Sequence, residues 1–188
     1  MLSATAAQAA GISVTRAELR AVDDGYAIVA DFKINLPPSV AEALQRGVTL
    51  NFVSDLAITH SRWYWLDTDI MVSEQVTKLS YNALTRQYRL SRGTLFQGFA
   101  NLENALRVLG HQSSPSVPAS ALVVGDGYVS RWLNGQGKNT AFVQMRLDTS
   151  QLPKPLQVNA LTDSDWNLES GKHSWSVSMA VQPVEGGQ

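Results

Sequence analysis

Residues 48–67, VTLNFVSDLAITHSRWYWLD, constrain the fold more than any other stretch. Val48, Leu50, Phe52, Leu56 and Ile58 keep to one side of a two-residue repeat, and Thr49, Asn51, Asp55 and Thr59 keep to the other. Successive side chains of an extended segment point to opposite faces, so the pattern predicts a long, half-buried strand. Beyond His60 the bulk changes sides, with Trp63 and Trp65 at odd positions beside Arg62 and Asp67. That change requires a bulge near residues 60–62, or a cover over the other face of the strand's second half.

The neighbouring segments follow the same logic. Residues 26–36 alternate without a break, while in residues 12–22 the apolar set shifts from Ile12 and Val14 to Ala17, Leu19 and Ala21. Asp23-Asp24-Gly25 between them supplies hairpin chemistry. Pro37-Pro38 ends the second strand, and Ser39-Val40-Ala41-Glu42 has the form of a capping box, which predicts a short helix running to Arg46 and closed by Gly47. Residues 69–79, with Ile70, Val72 and Val76 on one face, then 83–91 and 94–99, continue an antiparallel run with a tight reversal at Arg92-Gly93. Asn101 is placed to cap a second helix whose Leu102, Ala105, Leu106 and Leu109 form one stripe before Gly110. Residues 111–120, rich in serine and proline, read as a surface loop. Residues 128–133, 139–148, 156–161, 166–168 and 175–181 read as later strands, with a glycine-bearing hairpin at 134–137.

Nine or ten short strands, two short helices and no βαβ rhythm predict a mainly β chain. The expected architecture is an antiparallel β-sandwich, immunoglobulin-like, with an open antiparallel sheet under helices as the alternative. One domain is expected over residues 11–183, flanked by a terminal segment at 1–10 and a frayed tail at 184–188.

Charge excludes some partners. Fifteen Lys and Arg against sixteen Asp and Glu give a net charge of −1, which argues against a phosphate track for nucleic acid or a polybasic membrane patch. The absence of cysteine rules out disulfides, thiolate metal sites and cysteine nucleophiles. No run approaches the ~20 apolar residues of a membrane span. Residues 2–9 read as the tail of a secretory signal, with Ala7-Gln8-Ala9 as a small-x-small cleavage site. A mature chain starting near Ala10 in the periplasm is the expectation; a disordered Ala-rich terminus is the alternative.

Catalytic patterns fail one by one. His60, His111 and His173 are never at zinc-ligand spacing and read as ordinary surface or turn histidines. Asp163-x-Asp165-x-Asn167 begins like a calcium loop, but Leu168 stands where glycine is needed and Ser174 where a bidentate glutamate belongs, so it reads as a capped turn. Gly125-Asp126-Gly127 and Gly135-Gln136-Gly137 lead into no glycine-bearing helix and also read as turns. Asp67 and Asp69 share a face as a regular strand would place them, more in keeping with turn residues than with a catalytic pair. No catalytic residue, metal or cofactor is therefore expected. What remains is a mixture of rings and guanidinium groups: the binding candidates are Arg62, Trp63, Trp65, Arg86, Tyr88, Arg89 and Arg92. On adjacent strands they would stack at ~0.5–2 kcal/mol each and suit a protein or a carbohydrate. The competing expectation is that the rings are core and the arginines lay their stems over it.

Four blocks, Glu42-Ala43-Leu44-Gln45-Arg46-Gly47-Val48, Arg62-Trp63-Tyr64-Trp65, Leu79-Ser80-Tyr81-Asn82-Ala83-Leu84-Thr85-Arg86-Gln87-Tyr88, and Leu147-Asp148-Thr149-Ser150-Gln151-Leu152-Pro153 with Asp165-Trp166, together resemble a bacterial family catalogued as domain of unknown function 4390. The resemblance covers about residues 12–180, and residues 124–138 are longer than its pattern. It implies a secreted or periplasmic proteobacterial protein, often encoded beside a nitrogen-type membrane sensor kinase, and brings no catalytic residues with it. The expected function is a periplasmic, non-enzymatic binding or regulatory module acting on an envelope protein such as that sensor. A carbohydrate- or peptidoglycan-binding domain is the alternative, and a hydrolase assembled only in the fold is third.

Overall fold

The structure, a computed structural model, describes residues 11–60, 68–122 and 139–177. Over the described residues it is mainly β, with two antiparallel sheets and four helices. Strands β1 (Gly11–Val22) and β2 (Gly25–Asn35) form a hairpin, and β2 pairs on its other side with β7 (His111–Ser113). The second sheet has the order β6 (Leu95–Phe99), β5 (Gln87–Arg92), β4 (Thr68–Asn82), β3 (Leu50–His60), β8 (Asn139–Leu147), β9 (His173–Val177). The β1–β2 register shifts between Val14 and Arg16, where the apolar set of the sequence changes parity.

One hydrophobic core draws from both sheets. Ile28, Ala30, Phe32 and Ile34 of β2 meet Leu50, Phe52, Leu56 and Ile58 of β3 and Ala141, Val143, Met145 and Leu147 of β8 in the same cluster. Strand β3 lies inside the larger sheet, between β4 and β8. The expectation of a half-buried strand is corrected here: Asn51, Val53 and Ala57 on the opposite parity are buried as well. The register shift falls between Ile58 and Thr59, just before residues 60–62; residues 61–67 lie outside the described residues.

The helices correct the sequence reading most. Helix α1 (Pro38–Gln45) forms in the expected place but starts ahead of Ser39, with Pro37 at its N-cap and no side-chain cap. Ser39 Oγ donates instead to Asp165 Oδ2 at 2.8 Å, which joins α1 to the 3₁₀ turn Ser164–Trp166. Asp163 caps that turn by accepting from the Asp165 amide at 3.0 Å. Helix α2 (Leu102–Gly110) has the predicted cap, Asn101 Oδ1 accepting from the Asn104 amide at 2.9 Å. Two further helices, α3 (Ala119–Leu122) and α4 (Lys154–Thr162), replace part of an expected loop and an expected strand. Leu156, Val158 and Ala160 imitate strand alternation. The Pro153 carbonyl nonetheless accepts from the amides of Leu156 at 2.8 Å and Gln157 at 3.1 Å, and Pro155 sits in the first turn, where its missing donor is harmless.

Residues 111–118 are likewise more ordered than a surface loop. After β7 the chain keeps bonding to β2, with the Ser114 amide donating to Ile28 O and Tyr26 and Val117 exchanging both backbone bonds. Among the described residues no helix is long and apolar enough to cross a membrane. The readings placed on residues 1–10, 123–138 and 178–188 lie outside the described residues.

Candidate functional site

A groove of about 680 Å³ opens between α2 and the β5–β6 hairpin, within the ~300–1,000 Å³ usual for ligand pockets. Its walls follow from two local rules. The hairpin turns on Gly93-Thr94, with Arg92 paired to Leu95. Gly93 has φ +56° and Thr94 is not left-handed, which is the type II′ geometry of two-residue hairpins. The opposite wall, α2, is drawn against β2 at Gly110, where any Cβ would lie 2.1 Å from the Phe32 carbonyl oxygen. Only glycine permits that approach.

Leu95 and Phe96 of β6 are 76% and 70% exposed beside Arg107 and the part-exposed Val108 of α2. Leu90, Thr77 and Arg92 line the groove between these walls. Arg92 is held at its inner side, donating from Nε to Thr77 Oγ1 at 3.1 Å and from Nη2 to Gln112 Oε1 at 3.0 Å. Desolvation by burial holds this guanidinium below the ordinary arginine pKa. Gln112, 1% exposed, donates in turn to the Leu109 carbonyl and has Ser54 Oγ at 3.2 Å from its Oε1. Gln75 Nε2 reaches the Ser113 carbonyl at 2.8 Å. A polar joint from β3, β4 and β5 to β7 therefore bridges the two sheets behind the groove. Among the described residues every buried side-chain polar atom has a partner, as folded chains require.

The mouth carries more positive than negative charge. Arg107 donates to Asn104 Oδ1 one turn back, and His111 Nδ1 lies 2.6 Å from Asp31 Oδ1, both side chains solvent-facing. Two guanidinium groups and an imidazole thus face a single carboxylate, already engaged by His111. Among the described residues no group of three His, Cys, Asp or Glu side chains could hold a metal.

The sequence candidates do not converge on one ladder. Arg62, Trp63 and Trp65 lie outside the described residues. Of the others, Tyr88 and Arg92 share a face of β5 with Leu90, and Tyr88 packs on Tyr81 at 4.9 Å between ring centroids. Arg89 points to the other face, 5.2 Å from the Phe96 ring. Arg86 stands in the β4–β5 turn at φ +52°. Arg92 alone among the described candidates lines the groove, and Arg107, His111, Thr77 and Gln112 were missed. One signal pointed to them. In β4 the inner face carries Ser73, Gln75 and Thr77, while Val72 and Val76 face outward, Val72 being 63% exposed. An alternation inverted in this way marks a polar surface inside.

The pattern defining the family described as Domain of unknown function (DUF4390) matches residues 9–176. The chain belongs to that family. No curated protein and no solved structure matches it. In this DUF4390 chain the matched span contains every residue of the groove and of the joint behind it.

Proposed function

We propose that this DUF4390 domain is a non-enzymatic binding or regulatory module that works in the periplasm on a protein of the bacterial envelope, with a membrane sensor kinase as the first candidate. The observation that carries the reading is the groove, where exposed Leu95 shares a side with Arg92 and Arg107 and exposed Phe96 flanks the rim. Apolar anchors beside guanidinium groups that make no ion pair among the described residues suit a polypeptide presenting carboxylates among apolar side chains. The same reading takes the two sheets as layers of a sandwich, supported by their shared core. The consecutive order of β3 to β6 favours a meander over the Greek key of an immunoglobulin domain. The periplasmic placement rests on the Ala7-Gln8-Ala9 pattern, and release by osmotic shock tests it.

Calorimetric titration with the purified periplasmic domain of the sensor, beside glycan strands, tests the function. Arg107→Glu is expected to weaken protein binding at least about tenfold, as charge reversal at an interface does. Arg46→Glu, the same charge change on α1, should leave binding within about threefold. Equal loss from both variants, or no binding by the unaltered chain, would overturn the reading. Arg107-dependent binding of glycan strands alone would move it to the carbohydrate class.

A further inference from the structure

Resting on that reading, we infer that the groove takes its partner as an extended, acidic segment that adds to the larger sheet as a strand beside β6. Among the described residues, strand β6 ends the sheet and pairs only with β5. In a two-residue hairpin the pair next to the turn exchanges both backbone bonds, here Arg92 with Leu95, and bonding then alternates along the strands. Leu95, Gln97 and Phe99 therefore spend their amides on β5. The N–H and C=O groups of Phe96 and Gly98 point to the free edge, and among the described residues no backbone bond reaches them.

Edge strands are commonly blunted by charge, proline or a bulge. Leu95-Phe96-Gln97-Gly98-Phe99 has neither charge nor proline, and its register with β5 is unbroken. Helix α2 stands across the groove from this edge, and a strand seated at the edge has β6 as its template, the mode by which extended peptides add to exposed sheet edges. Parity then fixes the occupant's chemistry. Side chains of the added strand that share the face of Leu95 lie on the groove side, where α2 presents Arg107, and are acidic. Those on the other face run beside Phe96 and are apolar. Five residues of β6 offer about 17 Å of edge at ~3.4 Å per residue, enough for a segment of that length.

The probe is a fluorescein-labelled Val-Glu-Val-Glu-Val-Glu peptide, with lysine replacing glutamate as control, titrated by anisotropy against the full chain. Binding of the acidic peptide only is expected, together with slowed hydrogen exchange at the Phe96 and Gly98 amides. Gly98→Pro removes one outward donor and leaves the bonds to β5 in place. It should weaken binding at least about tenfold, the equivalent of ~1.4 kcal/mol, whereas Gly98→Ala, which keeps the donor, should stay within about threefold. Exchange in the unaltered chain decides the matter even if Gly98→Pro fails to fold. If Arg107→Glu abolishes binding while those two amides exchange as before, the groove reading stands and the added strand falls. If the sensor domain binds through Arg107 but the acidic peptide does not, the extended segment is likewise overturned. If neither binds, both readings fall. Protection of Phe96 and Gly98 in the free chain that grows with concentration would make a second copy the occupant and overturn the inference.

Discussion

The two sheets end in edges of opposite character. Strand β1 closes the small sheet with a register break after Val14 and with Arg16, Glu18 and Arg20 on one solvent-facing row, the glutamate accepting from both arginines at 2.7–3.2 Å. Strand β6 closes the large sheet with five uncharged residues, three of them Leu or Phe. Among the described residues both edges offer backbone groups that no further strand pairs, and only one edge is guarded. A net charge of −1 would have suggested a chain of even stickiness. The difference teaches that adhesion is placed strand by strand, and that the unguarded edge lies where a helix and two arginines make a groove.

The comparison presumes that β6 is an appendage of a rigid core and not part of it. Phe52, 1% exposed at the centre of β3, marks the core. Phe52→Ala should destabilise the chain by about 3–5 kcal/mol through lost burial and a residual cavity. Phe96→Lys, which gives β6 the charge that β1 has, should change stability by less than ~0.5 kcal/mol. Urea unfolding of the two variants measures both. A comparable loss at Phe96 would mean that this edge is covered in the folded chain, and the contrast between the edges would be gone.

A smaller effect sharpens the contrast at the joint. Gln112→Ala removes the amide that links Arg92 to the Leu109 carbonyl, and a deficit of about 1–3 kcal/mol is expected for the buried groups left without partners. Arg92→Ala should cost less, about 0.5–1.5 kcal/mol, because Gln112 Oε1 keeps Ser54 within reach. An arginine that served only an exposed binding surface would be thermally silent. The bonds of Arg92 to Thr77 and Gln112 make it a prop of the groove as well as part of its lining. A double-mutant cycle that showed the two losses to be additive would separate Arg92 from the joint.

Much of this was legible because apolar alternation and turn chemistry are local. The strands β1 to β6 and β8, the Arg92-Gly93 reversal and the Asn101 cap all follow from neighbours within a few residues. The groove was not legible, because its residues come from β2, β4, β5, β6, α2 and β7, and only the fold brings His111 beside Asp31 or Gln112 beside Arg92. Ser39 shows the limit at short range: the residue pattern of a capping box was present, but Asp165, 126 residues away, took the hydroxyl. Leu156, Val158 and Ala160 show it again. Three apolar residues two apart fit a strand as well as a helix with one member exposed, and Pro153 and Pro155 tipped the balance.

The smallest effect concerns the guard on β1. Hydrogen bonds from Arg20, then from Arg16, hold the Glu18 carboxyl below its ordinary value of 4.5. A carboxylate whose pKa is lower in the folded state stabilises that state fully above the unfolded value, and the contribution is lost as pH falls through the folded value. Glu18→Gln should therefore lower the thermal midpoint slightly at pH 7, with the difference from the unaltered chain closing as pH falls below 4.5. A fully solvated triad is screened, so the shift should be close to the limit of measurement. A difference that persisted undiminished at pH 3 would mean that Glu18 acts by something other than its charge. The edge itself should stay guarded in this variant, because Arg16 and Arg20 remain and either sign of charge deters a pairing strand. Sedimentation velocity of Glu18→Gln is expected to match that of the unaltered chain. Association appearing there would show that the guard is the ion-paired row as a unit, and that the contrast with β6 rests on pairing geometry more than on charge.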